Sequence, residues 1–234
     1  MSIKENIDAV MEKVAAAAKR SGRDPRDITV IGVSKTVDAQ RAREAVLGGL
    51  DSLGENRVQE LVSKYEQMQD LNVKWHMIGH LQKNKVKYII DKVRLIHSVE
   101  SPELAEEINK RASRQNLTAH ILIELNIGQE ESKFGIDEDT VYDFVGSLEQ
   151  FDNIKVLGLM TVAPYSENAE DVRWVFRKMK EIYERISSMN LKNTEMKYLS
   201  MGMTNDFEIA IEEGSNMVRI GTAVFGARKY KEDK

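Results

Sequence analysis

The chain has 234 residues, 41% of them hydrophobic and 31% charged, with 34 Lys and Arg against 38 Asp and Glu for a net charge of −4. That length supports a sizeable core, and the charge balance argues against a chain-wide nucleic-acid footprint, which needs a basic surface. Cysteine is absent, which excludes disulfides and thiolate metal sites and fits a cytoplasmic protein.

The N-terminal "MSIKENIDAV" mixes charge with apolar residues and lacks a signal-peptide core, and no apolar run is long enough for a membrane-spanning helix. Residues 2–22 carry Ile3, Ile7, Val10, Met11, Val14 and Ala18 at helical spacing, with Gly22 placed to end a helix. Short apolar runs then recur at 28–33, 52–54, 74–79, 94–99, 119–126, 154–161, 197–202 and 217–222. Helical patterns separate most of them, at 38–48, 56–69, 102–115, 137–150 and 168–189. The runs at 119–126 and 154–161 are almost continuously apolar, as strands buried on both faces are. Repeated strand–helix alternation predicts an α/β fold, a (β/α)8 barrel preceded by an extra helix, with an open doubly wound sheet as the alternative. With three prolines and no linker composition, residues 1–234 are read as a single domain.

In such a barrel the chemistry gathers at the C-terminal ends of the strands. Those ends present Lys35, Asn56, His80, Asn126, Met160 with Thr161, then "LSMGMTNDF" and "RIGTAVFG". Ser200, Met201, Gly202 and Met203 lead into a helix that Thr204 or Asn205 would cap and Gly214 would end. Backbone amides there and at Gly221, with the Ser200 and Thr222 hydroxyls, would form an anion cup.

Each feature also has a plain structural account. A lone lysine after a strand commonly reaches solvent. Arg219 within an apolar strand fits a structural salt bridge or a ligand contact equally. His76 and His80 lack a third metal ligand. The basic segment 83–94 reads as the solvated side of a helix whose apolar side is Val86, Ile89 and Ile90. Glu130 and Glu131 read as solvated loop residues, and Trp75 and Trp174 as packing residues.

Seven segments in order, "VSKT", "GENRVQE", "WHMIGHLQKNK", "ESKFGI", "GLMT", "LSMGMTNDFEIAI" and "VRIGTAVFGAR", resemble the YggS/PROSC family of pyridoxal 5′-phosphate (PLP) homeostasis proteins. The resemblance implies a modified (β/α)8 barrel similar to the N-terminal domain of alanine racemase. It implies that Lys35 carries PLP as an internal aldimine, a Schiff base. It implies further that Ser200, Met201, Gly202, Gly221 and Thr222 surround the phosphate, that Arg219 faces the pyridine nitrogen and that Asn56 lines the pocket.

The expected function is a PLP carrier that buffers or delivers the cofactor in vitamin B6 homeostasis without turning over a substrate. Its partners would be PLP and PLP-dependent apo-enzymes, with no nucleic acid and no membrane, and it would be a monomer. The main alternative is a fold type III PLP racemase. Racemization needs acid–base groups on both faces of the substrate. Related racemases take the second from a C-terminal β-domain that this chain, stopping at Lys234, is expected to lack, leaving only Tyr165 as a substitute. A PLP-independent lysine aldolase or phosphosugar barrel is the third reading.

Overall fold

The structure is a computed structural model that describes residues 2–128 and 134–227. Helix α1 (Ile3–Arg20) starts with a reciprocal cap: Ser2 Oγ accepts from the Glu5 amide, and the Glu5 carboxylate accepts from the Ser2 amide. Its stripe of Ile3, Ile7, Val10, Val14, Ala17 and Ala18 is buried.

Eight parallel strands follow: β1 (Thr29–Val33), β2 (Ser52–Glu55), β3 (Lys74–Met77), β4 (Leu95–Val99), β5 (Ala119–Leu125), β6 (Ile154–Thr161), β7 (Thr194–Ser200) and β8 (Met217–Ile220). They close in sequence order, and β1 pairs with both β2 and β8. Closure excludes the open sheet and makes the ends of the first and last strands neighbours. Helices α2 (Ala39–Leu47), α3 (Val58–Gln67), α4 (Pro102–Arg114), α5 (Val141–Ser147), α6 (Arg173–Ser188), α7 (Phe207–Glu212) and α8 (Thr222–Phe225) lie between or after the strands.

The main core lies between strands and helices. In α6, Val175, Phe176, Met179, Ile182 and Ile186 share one buried face, each side chain contributing about 1.5–3 kcal/mol. A smaller cluster of Ile31, Leu95, Leu122, Leu157, Met160 and Met217, drawn from five strands, fills the barrel interior. The barrel is not regular throughout. Register shifts occur on both sides of β6, where Gly158 adopts φ +142. A Cβ there would fall 1.8 Å from the Tyr198 carbonyl oxygen, so the bulge requires glycine.

Several expectations are corrected. The basic segment forms a 3-10 helix over Lys83–Tyr88 and then turns, rather than one helix through residue 94, although Val86, Ile89 and Ile90 are buried as expected. Trp75 is buried, but Trp174 is 53% exposed on the outer face of α6. β7 begins at Thr194, three residues early, because its first half alternates between exposed and half-buried positions and has no apolar run. Glu130 and Glu131 lie outside the described residues.

Candidate functional site

Lys35 follows β1 and is gripped on both sides. The Ser34 amide donates to the Gly54 carbonyl at 3.0 Å, and Val37 N–H returns to the Ser34 carbonyl at 3.0 Å. Thr36 sits at φ +64, a left-handed backbone that a β-branched residue adopts only under constraint. Its amide donates to Glu60 Oε2 at 2.8 Å. On the other side, Ser34 Oγ donates to Glu55 Oε1 at 2.6 Å. Lys64 Nζ donates to that same carboxylate oxygen and to the Ser34 carbonyl, both at 2.6 Å. Glu55 and Lys64 are buried. Burial pushes the Glu55 carboxyl upward, against the pull of Lys64 and Ser34. The turn that carries Lys35 is therefore fixed by α3 and β2.

Lys35 lines a cavity of about 370 Å³ at the C-terminal end of the barrel, with Tyr165, Thr204, Arg219, Gly221 and Thr222 also in its wall. Its far side is the β7–α7 turn. Gly202 adopts φ +95, and a Cβ there would meet Ala210 Cβ at 2.6 Å and Phe207 Cα at 2.9 Å, so the turn can lie this close to α7 only with glycine. Its carbonyl accepts from the Arg219 amide at 3.0 Å, and the buried Met201 donates its amide to the Met217 carbonyl at 3.2 Å. Asp206, not Thr204 or Asn205, occupies the cap position of α7, and its carboxylate turns back to accept from Met203 N–H at 2.6 Å. Burial pushes that carboxyl upward. Thr204 and Asn205 are thereby left on the cavity wall.

None of the hydrogen bonds among the described residues uses the amides of Thr204, Asn205, Gly221 or Thr222. All four residues line the cavity that Lys35 and Arg219 also line. Unspent backbone donors beside two cations suit an anionic group.

Arg219 is 4% exposed. It donates from Nη1 to Ser200 Oγ at 2.7 Å and from Nη2 to the Thr161 carbonyl at 2.8 Å. Two of its five N–H donors are spent in this way. No carboxylate among the described residues pairs with it within 4.0 Å, so of its two readings the structural salt bridge finds no partner, and hydrogen bonds hold the guanidinium. Burial lowers its pKa to about 10, while the more distant Glu124 and Asp206 pull it upward. Glu124 responds in the opposite sense: burial, with Glu100 nearby, raises it to about 7 against the pull of Arg219.

Ser200 departs from its expected place. It is fully buried, and its hydroxyl meets Arg219 and, at 3.1 Å, His97 Nδ1. It does not line the cavity, whereas Thr204 does. Ser200 ends β7 with its side chain inside the barrel; Thr204, four residues on, reaches the wall after the turn. Asn56 follows β2 and lies against Gly79, where a Cβ would meet its carbonyl oxygen at 2.6 Å; it is not among the residues of the cavity wall. His76 and His80 are separated by their partners: His76 Nδ1 meets His97 Nε2 at 3.0 Å, while His80 Nδ1 lies 2.7 Å from Glu100 and stacks on Phe134. Among the described residues no three His, Asp or Glu side chains gather as metal ligands. No helix among them is long and apolar enough to cross a membrane.

The sequence profile of the family described as "Alanine racemase, N-terminal domain" matches residues 5–229. A pyridoxal phosphate homeostasis protein of Aquifex aeolicus is 46% identical over 230 residues, covering 98% of this chain and 100% of that protein. The chain belongs to the pyridoxal phosphate homeostasis protein family. The match to that family spans the strand ends that build the cavity, from Lys35 to Thr222. PipY of Synechococcus elongatus, whose solved structure has PLP bound, superposes with a TM-score of 0.84 at 29% identity over 96% of this chain and 100% of PipY. An alanine racemase of Clostridium difficile shares the fold, with a TM-score of 0.72 at 16% identity, and this chain spans 58% of it.

Proposed function

We propose that this member of the pyridoxal phosphate homeostasis family binds PLP in the cavity at the C-terminal end of its barrel and buffers or delivers it without turning over amino acids. The observation that carries the reading is one wall shared by Lys35, Arg219 and four unspent amides at the β7 and β8 turns. The names of the relatives and the PLP bound to PipY point to the same ligand. A volume of about 370 Å³ suits a small molecule.

PLP, when bound, supplies an aldehyde that condenses with an amine. Lys35 is the lysine on the cavity wall, and its clamped turn fixes where that amine stands. The cup formed by Thr204, Asn205, Gly221 and Thr222 holds the phosphate, with Met201 and Gly202 shaping the turn behind it. Arg219 faces the ring nitrogen and donates to it, since a guanidinium cannot accept. Ser200 serves by holding Arg219. A ring nitrogen that accepts rather than carries a proton makes the bound group a poorer electron sink. That suits storage, with PLP-dependent apo-enzymes as the receivers.

The test is transfer and inertness together. Loaded protein mixed with a PLP-dependent apo-enzyme should restore that enzyme's activity, and Lys35→Ala should abolish loading. Exchange of the Cα proton of L- or D-alanine for deuterium should stay at background. Sustained exchange with inversion, lost in Lys35→Ala, would replace storage by racemization.

A further inference from the structure

A second cavity, of about 520 Å³, lies at the opposite end of the barrel, where the strands begin. Its inner surface includes Leu157 and Met217 of the interior cluster, and its wall carries Arg26, Lys74, Arg94 and His76. Lys74 is paired with Asp51, also in the wall, at 2.6 Å, and Arg26 with Asp24 at 2.6 Å. The Arg94 guanidinium makes no hydrogen bond or ion pair among the described residues. His76 is 3% exposed, and its Nε2 has no hydrogen-bond partner among the described residues. A buried ring nitrogen without a partner is costly.

The bonds behind His76 fix what that nitrogen requires. Arg219 can only donate, so Ser200 Oγ accepts from it. The Ser200 proton then has one neighbour to go to, His97 Nδ1. With Nδ1 accepting, neutral His97 carries its proton on Nε2 and donates it to His76 Nδ1. Neutral His76 must therefore carry its own proton on Nε2. Burial holds both rings neutral: at His76 the Asp51 carboxylate pulls the other way while Arg94 and Lys74 add to the lowering, and at His97 His76 and Arg219 add to it. The orphaned atom is thus a donor. The column of four side chains runs from the cavity of Lys35 to the second cavity with a single polarity set by Arg219.

We propose that the cavity at the N-terminal end of the barrel is a second ligand site, taking a small organic anion, a carboxylate or a phosphate ester with an apolar body, whose oxygen accepts from His76 Nε2–H and whose charge is met by Arg94. The apolar body rests on Leu157 and Met217. A purely donating ligand cannot satisfy His76 Nε2–H, and the Asp51 carboxylate in the wall is already engaged by Ser52 and Lys74.

The test uses the full chain labelled with nitrogen-15 histidine, of which there are four residues. Two-bond proton–nitrogen spectra should show His76 and His97 both protonated on Nε2. Titration with benzoate and with phenyl phosphate separates the two anion types, and benzyl alcohol is the uncharged control. At least one anion should shift the His76 Nε2 signal saturably, with a dissociation constant on the order of 1 mM or below. Arg94→Met, a change at an exposed position, should weaken that binding about tenfold, as loss of one charge-assisted contact does. A His76 protonated on Nδ1, no saturable shift with either anion, or equal binding in Arg94→Met would each overturn the proposal.

Discussion

Glu55 and Lys64 are buried as a pair beneath the turn that carries Lys35. Lys64→Met leaves Glu55 in the core without its cation, which should cost about 3–5 kcal/mol in urea unfolding. Lys64→Met with Glu55→Leu should recover much of that loss, because the uncompensated charge is gone. Lys35 and Arg219 are legible in the sequence because each breaks a pattern, a lysine where a buried strand stops and an arginine inside one. The residues that support them are not. Glu55, Lys64 and Glu60 look like surface charges around an amphipathic helix until the barrel brings α3 against the β1 turn. His97 reads as one polar position in an apolar strand, and Thr204 as a helix cap. In the cup, Thr204→Val should weaken PLP by on the order of 1–3 kcal/mol, with little effect on pyridoxal, which has no phosphate. Ser200→Ala should weaken both ligands alike, since it acts through Arg219. Spectrophotometric titration distinguishes the two patterns.

At the level of elements, strands with continuous apolar runs were plain in the sequence, and β6 follows its expected bounds without change. Elements set by local hydrogen bonding were harder. The 3-10 turn at Lys83–Tyr88 has helical charge spacing, but the chain must reach β4 within a few residues, and tight turns accomplish that where a long helix would overshoot. The sequence pattern places the cap of α7 one or two residues early because Thr, Asn and Asp stand consecutively and all favour that role. Only the backward bond from Met203 N–H to Asp206 decides among them. The bulge at Gly158 left no sequence signal beyond a glycine in a strand. Gly158→Ala should destabilise by about 3 kcal/mol or more, because strain at φ +142 adds to a clash with backbone that cannot rotate away. Chemical denaturation should show a lower midpoint and broad spectral change across β6 and β7.

For the whole molecule, barrel closure is what turns scattered strand ends into one wall. The count of eight runs is enough to anticipate it, although the run at β2, three residues at 52–54, is the most weakly marked of them. Closure also buries charge, and two buried groups oppose each other in acid. His76 has its pKa lowered from 6.5 to about 4, so its share of stability is present above pH 6.5 and is lost as pH falls toward 4. Glu124 is raised from 4.5 to about 7, so its share is present below pH 4.5 and is lost as pH rises through 7. Glu124→Gln should therefore stabilise the fold at pH 8, by on the order of 3 kcal/mol, and change it little at pH 4.5. Thermal unfolding across that range checks the sign. Borohydride reduction of the loaded protein followed by peptide mapping reads out whether this barrel presents Lys35 to PLP. Reduction should fix one pyridoxyl group on the peptide containing Ser34, Lys35 and Thr36 and make its release by dialysis impossible. Labelling of a different lysine, or quantitative release of PLP after reduction, would contradict it.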